Sequence, residues 1–201
     1  MGKREEKSRL FRDKIIKAAK IVFQQSGFEN TTIDMIATKA EVGMGTAYNY
    51  FQSKEELFIL AISDEVIKGA ALSIPEITSS NQITDAVMDI LGQYMQMMNW
   101  ERKDLWLTAL PIMLKSTKSN GISFLQAFES DYKLKSVITE LLENCVERKM
   151  LAGDFDTASA SELIMGSLFI HITSYIYTEE MPIDQVLSGI ENNIKFIIKE
   201  R

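Results

Sequence analysis

Residues 33–50 have a spacing from which a chemistry can be argued. Ile36, Ala37, Ala40, Val42, Ala47 and Tyr50 are apolar where two short helices, joined by Glu41-Val42-Gly43-Met44-Gly45, must pack on each other, and Ala37 is small where the backbones approach. In such a helix-turn-helix the second helix projects from the surface. The major groove, about 12 Å wide, admits one helix, so its exposed residues would meet base edges. An ordinary three-helix cluster with a polar face would show the same patterning. Bond-making chemistry has far less to draw on. The chain holds one histidine, His171, and one cysteine, Cys145, with no phosphate-binding glycine loop and no HExxH. Glu140, Glu143 and Glu147 read as a solvated helix face. We expect no catalytic centre, no metal site and no cofactor.

The elements around this pair follow from helix signals. An apolar stripe of Ile15, Ala18, Ala19, Val22 and Phe23 marks a helix over about Ser8–Ser26, with Gly27 in the C-cap place. Thr31-Thr32-Ile33-Asp34 and Ser53-Lys54-Glu55-Glu56 each read as a capping box, in which a hydroxyl and an acid satisfy free N–H groups at a helix start. The second box opens a helix running toward Ala71. Pro75 and Ser79-Ser80-Asn81 then mark a boundary. Further helices are expected near 82–98, 101–117, 121–150, 157–178 and 183–199, with Pro111 kinking or breaking the second of these.

Charge divides the chain in the same place. The 201 residues carry a net charge of −6, yet residues 1–54 hold 10 Lys and Arg against 6 Asp and Glu, a net of +4, and the remainder is at −10. Bulk charge therefore cannot hold a polyanion, and any such binding must be local to the front. A single cysteine excludes an internal disulfide and zinc-finger ligation. No apolar run approaches the roughly 18 residues that span a bilayer, and the charged N-terminus lacks an apolar stretch behind it. The expectation is a cytoplasmic, all-α chain with no membrane partner.

The run Gly27-Phe28-Glu29-Asn30-Thr31-Thr32-Ile33, then Ile36-Ala37, then Val42 through Leu57 resembles the tetracycline-repressor (TetR) family of bacterial transcription regulators. The resemblance covers about a quarter of the chain. It implies an N-terminal three-helix helix-turn-helix DNA-binding domain, residues 1–54, and a C-terminal helical domain for effector binding and dimerisation, residues 55–201. It also implies roles one residue at a time. Thr31 and Thr32 would hold a phosphate at a helix N-terminus; Gly45 would let the backbone approach the groove; Thr46, Tyr48 and Asn49 would touch base edges or thymine methyls; Tyr50 and Lys54 would reach phosphates. Phe51 is expected inside. Met44, counted with this set, stands where the family commonly has a basic or small polar residue, and so withdraws a phosphate contact. Glu41 replaces the usual glycine, and Ala47 a larger apolar residue.

In the last expected helix Ile183, Leu187, Ile190, Ile194 and Ile197 recur at seam spacing, and Met165, Leu168, Ile172 and Tyr175 repeat it in the helix before, whose other sides are also apolar. Met165, Leu168, Ile172, Leu187, Ile190, Ile194 and Ile197 are therefore candidates for a homodimer interface of four helices. Burial of both helices inside one chain is the competing reading. Between the module and this seam, Met95, Met97, Met98, Trp100, Trp106, Met113, Phe124, Phe128 and Phe155 could line an adaptable cavity for a small-molecule effector, or could be plain core. His171 and Tyr175 are candidate effector contacts, His171 alternatively a hydrogen-bonded core residue. Cys145 reads as a small apolar filler.

Two recognition helices one DNA turn apart, about 34–36 Å, would read a palindromic double-stranded operator. An effector preferring the wrongly spaced conformation would release it, and about 1–3 kcal/mol of coupling changes affinity roughly 5- to 150-fold. The reading is a ligand-responsive regulator, most often a repressor in such a family. The rivals are a constitutive DNA-binding regulator and a helical-bundle enzyme.

Overall fold

The computed structural model describes residues 3–67, 72–115 and 129–198. Nine α-helices occur among them: α1 (Lys3–Ser26), α2 (Ile33–Lys39), α3 (Met44–Tyr50), α4 (Lys54–Ile67), α5 (Ile83–Met98), α6 (Lys103–Leu114), α7 (Glu129–Glu147), α8 (Thr157–Tyr177) and α9 (Ile183–Ile198), with a single 3-10 turn at Ser80–Gln82. No strand is present among the described residues. The all-α expectation holds, and the helix-rich composition is its cause: straight-chain and alanine residues lose little side-chain freedom in a helix. Phe124 and Phe128 lie outside the described residues, as does the start of the helix expected from 121.

The chain forms two compact units. The first comprises, of the described residues, 3–67 and 108–115; the second comprises 72–107 and 129–198. In the first, α1 packs on α2 and on α4, and α2 packs on α3. By its packing on α1, α4 belongs to this compact unit. Its core is Ile15, Ala19, Ile36, Ala37, Ala47, Phe51 and Leu57, all fully enclosed. An aromatic cluster extends it, with Phe58 centred 5.0 Å from Phe23 and 4.8 Å from Phe28. Gly27 ends α1 at φ +72°, a conformation that L side chains rarely adopt, and its N–H donates to Phe23 O at 2.9 Å.

Local capping differs in one register from expectation. The N-cap of α2 is Thr32, whose hydroxyl accepts from Met35 N at 3.2 Å, so position N3 is a methionine and no capping box forms. Thr31 instead turns its hydroxyl back to Gly27 O at 2.6 Å. Ahead of α4, Ser53 Oγ accepts from Glu56 N at 3.0 Å while the Glu56 carboxylate accepts from Gln52 N at 2.7 Å. That box is closed one residue further back than the usual form. Burial holds the Glu56 carboxyl above its ordinary pKa, against the Gln52 hydrogen bond and the charge of Arg12.

In the second unit α8 packs on α9 and α7, and α5 packs on α7 and α9. Each helix turns one stripe inward: Ile83, Val87, Ile90, Leu91 and Tyr94 from α5, Leu134, Ile138, Leu141 and Cys145 from α7, Ile164, Leu168, Ile172 and Ile176 from α8, and Val186, Ile190 and Ile194 from α9. The 3–4 spacing within each stripe is what one helix face requires. Pro111 does not break α6, which runs through it to Leu114. Asp156 caps α8 by accepting from Ser159 N at 3.0 Å. The irregular segment 72–79 is tied down at both ends, by Ser73 exchanging hydrogen bonds with the Gln93 amide and by Arg148 donating to Ile77 O at 2.7 Å.

Candidate functional site

The geometry of α2 and α3 separates the residues expected at DNA into those that project and those that do not. Ala47 is fully buried against α2, and that contact fixes which face of α3 turns outward. On the outward face Met44 is 52% and Tyr48 53% exposed, with Gly45 and Asn49 exposed beside them; Thr46 and Tyr50 are half-buried. Large apolar surface is left in water at Met44 and Tyr48, where it could meet thymine methyls and base faces. A Cβ added at Gly45 would meet nothing within 4 Å, and its φ is ordinary. Nothing inside the protein requires glycine there.

Three expected phosphate contacts are placed differently. Thr31 is 1% exposed with its hydroxyl engaged inward, so its side chain is a packing and turn-closing group rather than a surface one. Thr32 is exposed, but its oxygen caps α2. Lys54 sits 4.3 Å above the Phe28 ring and donates to Phe28 O at 2.9 Å and Glu29 O at 3.4 Å, clasping the 27–32 turn to the start of α4. Two of its three ammonium donors are thereby occupied.

The Glu41 that stands in place of the usual glycine has a backbone conformation and a partner of its own. Glu41 adopts φ +51°, the left-handed region where glycine is favoured, and its carboxylate pairs with Lys14 of α1 at 2.9 Å in the open. The hydrogen bond and charge of Lys14 hold its pKa below the ordinary carboxylate value. The signal was available, since an acid standing at a glycine position in a tight turn needs a reason. The partner, 27 residues away, was not.

The second unit sorts its candidates by burial as well. Leu168, Ile172, Ile190 and Ile194, expected at a dimer seam, are enclosed within the single chain, while Met165, Leu187 and Ile197 are half-buried. This corrects the seam: its spacing identified a face, and that face meets other helices of the same unit. The exposed stripe of α8 is instead Leu163, Gly166, Ile170 and Tyr177, and α9 exposes Phe196 at 80%.

His171 belongs to the packing of α8 on α9. Its Nδ1–H donates to Ser167 O at 2.8 Å, Asn193 donates to Ser167 Oγ at 3.0 Å, and a Cβ at Gly189 would fall 2.4 Å from His171 Nε2. Tyr175 is half-buried beneath Lys103, whose ammonium lies 4.0 Å from the ring centre and donates to Thr178 O at 2.9 Å. Met98, Trp106 and Met113 are buried and Met95 half-buried. Among the described residues no three histidine, cysteine or carboxylate groups converge as metal ligands.

A polar cluster that the sequence did not suggest lies between α5 and α7. The buried Tyr94 hydroxyl donates to Asp131 Oδ1 at 3.1 Å and lies 3.4 Å from the buried Ser130 hydroxyl. Burial raises the Asp131 carboxyl to about 6, outweighing the Tyr94 hydrogen bond that favours its ionised form.

Comparison with known proteins accords with this arrangement. Residues 15–61 match the family described as bacterial regulatory proteins, tetR family. An uncharacterized HTH-type transcriptional regulator, YhgD of Bacillus subtilis (strain 168), is 50% identical over 44 residues, covering 22% of this chain and 23% of that one. HTH-type transcriptional regulator TcmR of Streptomyces glaucescens is 40% identical over 62 residues, 31% of this chain and 27% of its own. The match thus spans about a quarter of these curated relatives. Over nearly the whole chain, the crystal structure of Thermus thermophilus FadR, a TetR-family transcriptional repressor in complex with lauroyl-CoA, superposes with a TM-score of 0.62 at 21% identity, covering 94% of this chain and 93% of that one.

Proposed function

We propose that this chain, whose residues 15–61 match the tetR family of bacterial regulatory proteins and whose fold is that of a TetR-family repressor, is a member of that family and a ligand-responsive repressor that binds a palindromic operator as a homodimer. The observation that carries this reading is the outward face of α3. Met44, Gly45, Tyr48 and Asn49 project from a helix whose buried residue, Ala47, seats it firmly on α2. Such a surface reads bases, while Arg12, Lys14 and Lys17, exposed along α1, supply charge toward phosphates. Thr46 and Tyr50 flank the reading face, and Thr32 acts by fixing the start of α2. Residues 3–67 serve as the DNA-binding part and the second unit as the effector-binding and dimerising part.

The homodimer uses the exposed stripe of α8, Leu163, Ile170 and Tyr177, with Phe196 of α9, and the half-buried Met165, Leu187 and Ile197 at its margin. Apolar side chains left in water at heptad spacing on adjoining helices are what a second copy would cover. A small lipophilic effector is supported by the methionine-rich α5 and by the acyl-CoA bound to the structural neighbour. It acts by preferring the conformation in which the recognition helices are wrongly spaced. The site of action is the cytoplasm, and no helix among the described residues is long and apolar enough to cross a membrane.

Footprinting on genomic fragments tests the reading. The expected result is a protected inverted repeat with half-sites about 34–36 Å apart, lost with Ile170→Asp, which leaves a folded monomer by sedimentation. The absence of any protected inverted sequence would overturn it.

A further inference from the structure

The two tryptophans of the chain, Trp100 and Trp106, are stacked with ring centroids 3.9 Å apart and planes at 23°. Trp106 is 1% exposed at the start of α6, and Trp100 lies on the short turn between α5 and α6, next to Asn99, which ends α5 at φ +52°. Both indole nitrogens are closed off from solvent and neither meets a hydrogen-bond acceptor among the described residues. Buried donors nearly always find partners, and a single orphan calls for a reason. Two orphans in one ring pair place the same deficit twice at one point. The stacking itself is nearly full overlap, which is less favourable for aromatic pairs than an offset arrangement.

The cations nearby in sequence are already engaged. Arg102 pairs bidentately with Asp104 at 2.9 and 2.8 Å, and Lys103 is held by Thr178 O and the Tyr175 ring. Neither of these two cations is free to hold an anion, and residues 55–201 are net acidic, so the missing acceptor is better matched by a neutral oxygen than by an anion. The methionines preceding it, Met97 and Met98, have flexible, polarizable side chains that can repack around an incoming apolar body.

We propose that Trp106 is the polar anchor of the effector site, that its indole N–H donates to a neutral carbonyl oxygen on a lipophilic ligand, and that Trp100 is the cover that the ligand displaces. This rests on the ligand-responsive reading above and names the chemical class of the ligand. A ligand that satisfies the orphan donor and breaks the overlapped stack binds the opened arrangement in preference to the closed one, which is the differential affinity that an effector needs.

The test uses the full chain and two matched pairs of probes: 1-indanone against indane, and fluorenone against fluorene, each pair alike in shape but differing in the carbonyl. Equilibrium dialysis should show at least one carbonyl compound binding about tenfold or more tightly than its hydrocarbon, the worth of one buried hydrogen bond. Trp106→Phe, which keeps a ring and removes the donor, should abolish that preference. Trp100→Ala should leave binding unchanged or tighter. Stacked indoles couple excitonically, and with only two tryptophans the paired circular-dichroism bands are theirs alone, so the couplet should vanish on binding. Equal affinity for carbonyl and hydrocarbon, or no binding of either, overturns the proposal. So does a couplet that persists in the complex, or a loss of binding in both variants alike. Operator binding by the probe-free protein, measured in the same samples, judges the regulator reading separately: retention there with no carbonyl preference rejects the anchor alone.

Discussion

The outward face of α3 and the stacked tryptophans before α6 both leave bonding capacity unused, but in opposite settings. On α3 the groups are in water: Tyr48 and Met44 are more than half exposed, and hydration satisfies what the protein does not. At Trp100 and Trp106 the donors are closed off from solvent and meet no acceptor among the described residues. An open surface costs little to maintain and can wait for a large partner such as duplex DNA. A sealed, unsatisfied pair is a local deficit that biases the unit toward rearrangement. On the proposed function, recognition of DNA sits on a firmly packed element and response to a small molecule in a less satisfied one.

The largest effect should come from the exposed side. Tyr48→Ala is expected to weaken operator binding at least about 30-fold, since each base contact contributes about 1–3 kcal/mol and a dimer makes it twice. Fluorescence anisotropy measures the loss. An unchanged melting transition should accompany it, because the ring is outside the core; unaltered affinity would remove Tyr48 from the interface and blunt the contrast.

Inside the second unit, Asp131→Asn should stabilise. A folded-state pKa of about 6, above the ordinary 3.8, means that the ionised form is disfavoured by folding. The penalty is absent below the unfolded value, grows between the two and is complete above the folded one, with a ceiling of about 3 kcal/mol. Urea melts should show a gain of about 1–3 kcal/mol at pH 8 that fades as pH falls from 6 toward 4. A gain independent of pH would mean that the carboxyl is not the source.

Gly189→Ala probes the α8–α9 contact. Its Cβ would lie 2.4 Å from His171 Nε2, so the imidazole must leave the Ser167 carbonyl or the helices must part, at about 1–3 kcal/mol. Denaturant melts should register it, and an NMR shift of the His171 ring should localise it. The smallest effect belongs to the turn of the first unit. Glu41→Gly relieves a left-handed backbone while removing an exposed ion pair, so the melting temperature should rise slightly, and more at high salt, where the Lys14 pair is screened. A fall at high salt would show that the backbone conformation is not strained.

The amino-terminal unit was the more legible half. Its α2 and α3 are seven residues each and pack on one another across a tight turn, so apolar spacing alone puts Ala37, Ala47 and Phe51 inside. Even there the cap fell one residue off, on Thr32 rather than Thr31, because adjacent threonines offer equivalent hydroxyls and only the backbone turn at Gly27 selects between them. In the second unit the helices stood close to where periodicity puts them, but the face assigned to a partner chain was filled by the protomer's own α5 and α7. Heptad spacing on Leu168, Ile172, Ile190 and Ile194 states only that these residues face one way.

What the order of residues determined alone is everything that depends on neighbours within about a turn or two: helix periodicity, caps, the division of charge, and the helix-turn-helix spacing that ends in an exposed Tyr48. Tertiary structure alone decided which side chains become each other's surroundings. Lys14 meets Glu41, Tyr94 meets Asp131, and Trp100 closes over Trp106 without an acceptor. The physical reason is that burial and electrostatics act through space, and a helix pattern specifies the direction in which a group points but not what it will find there.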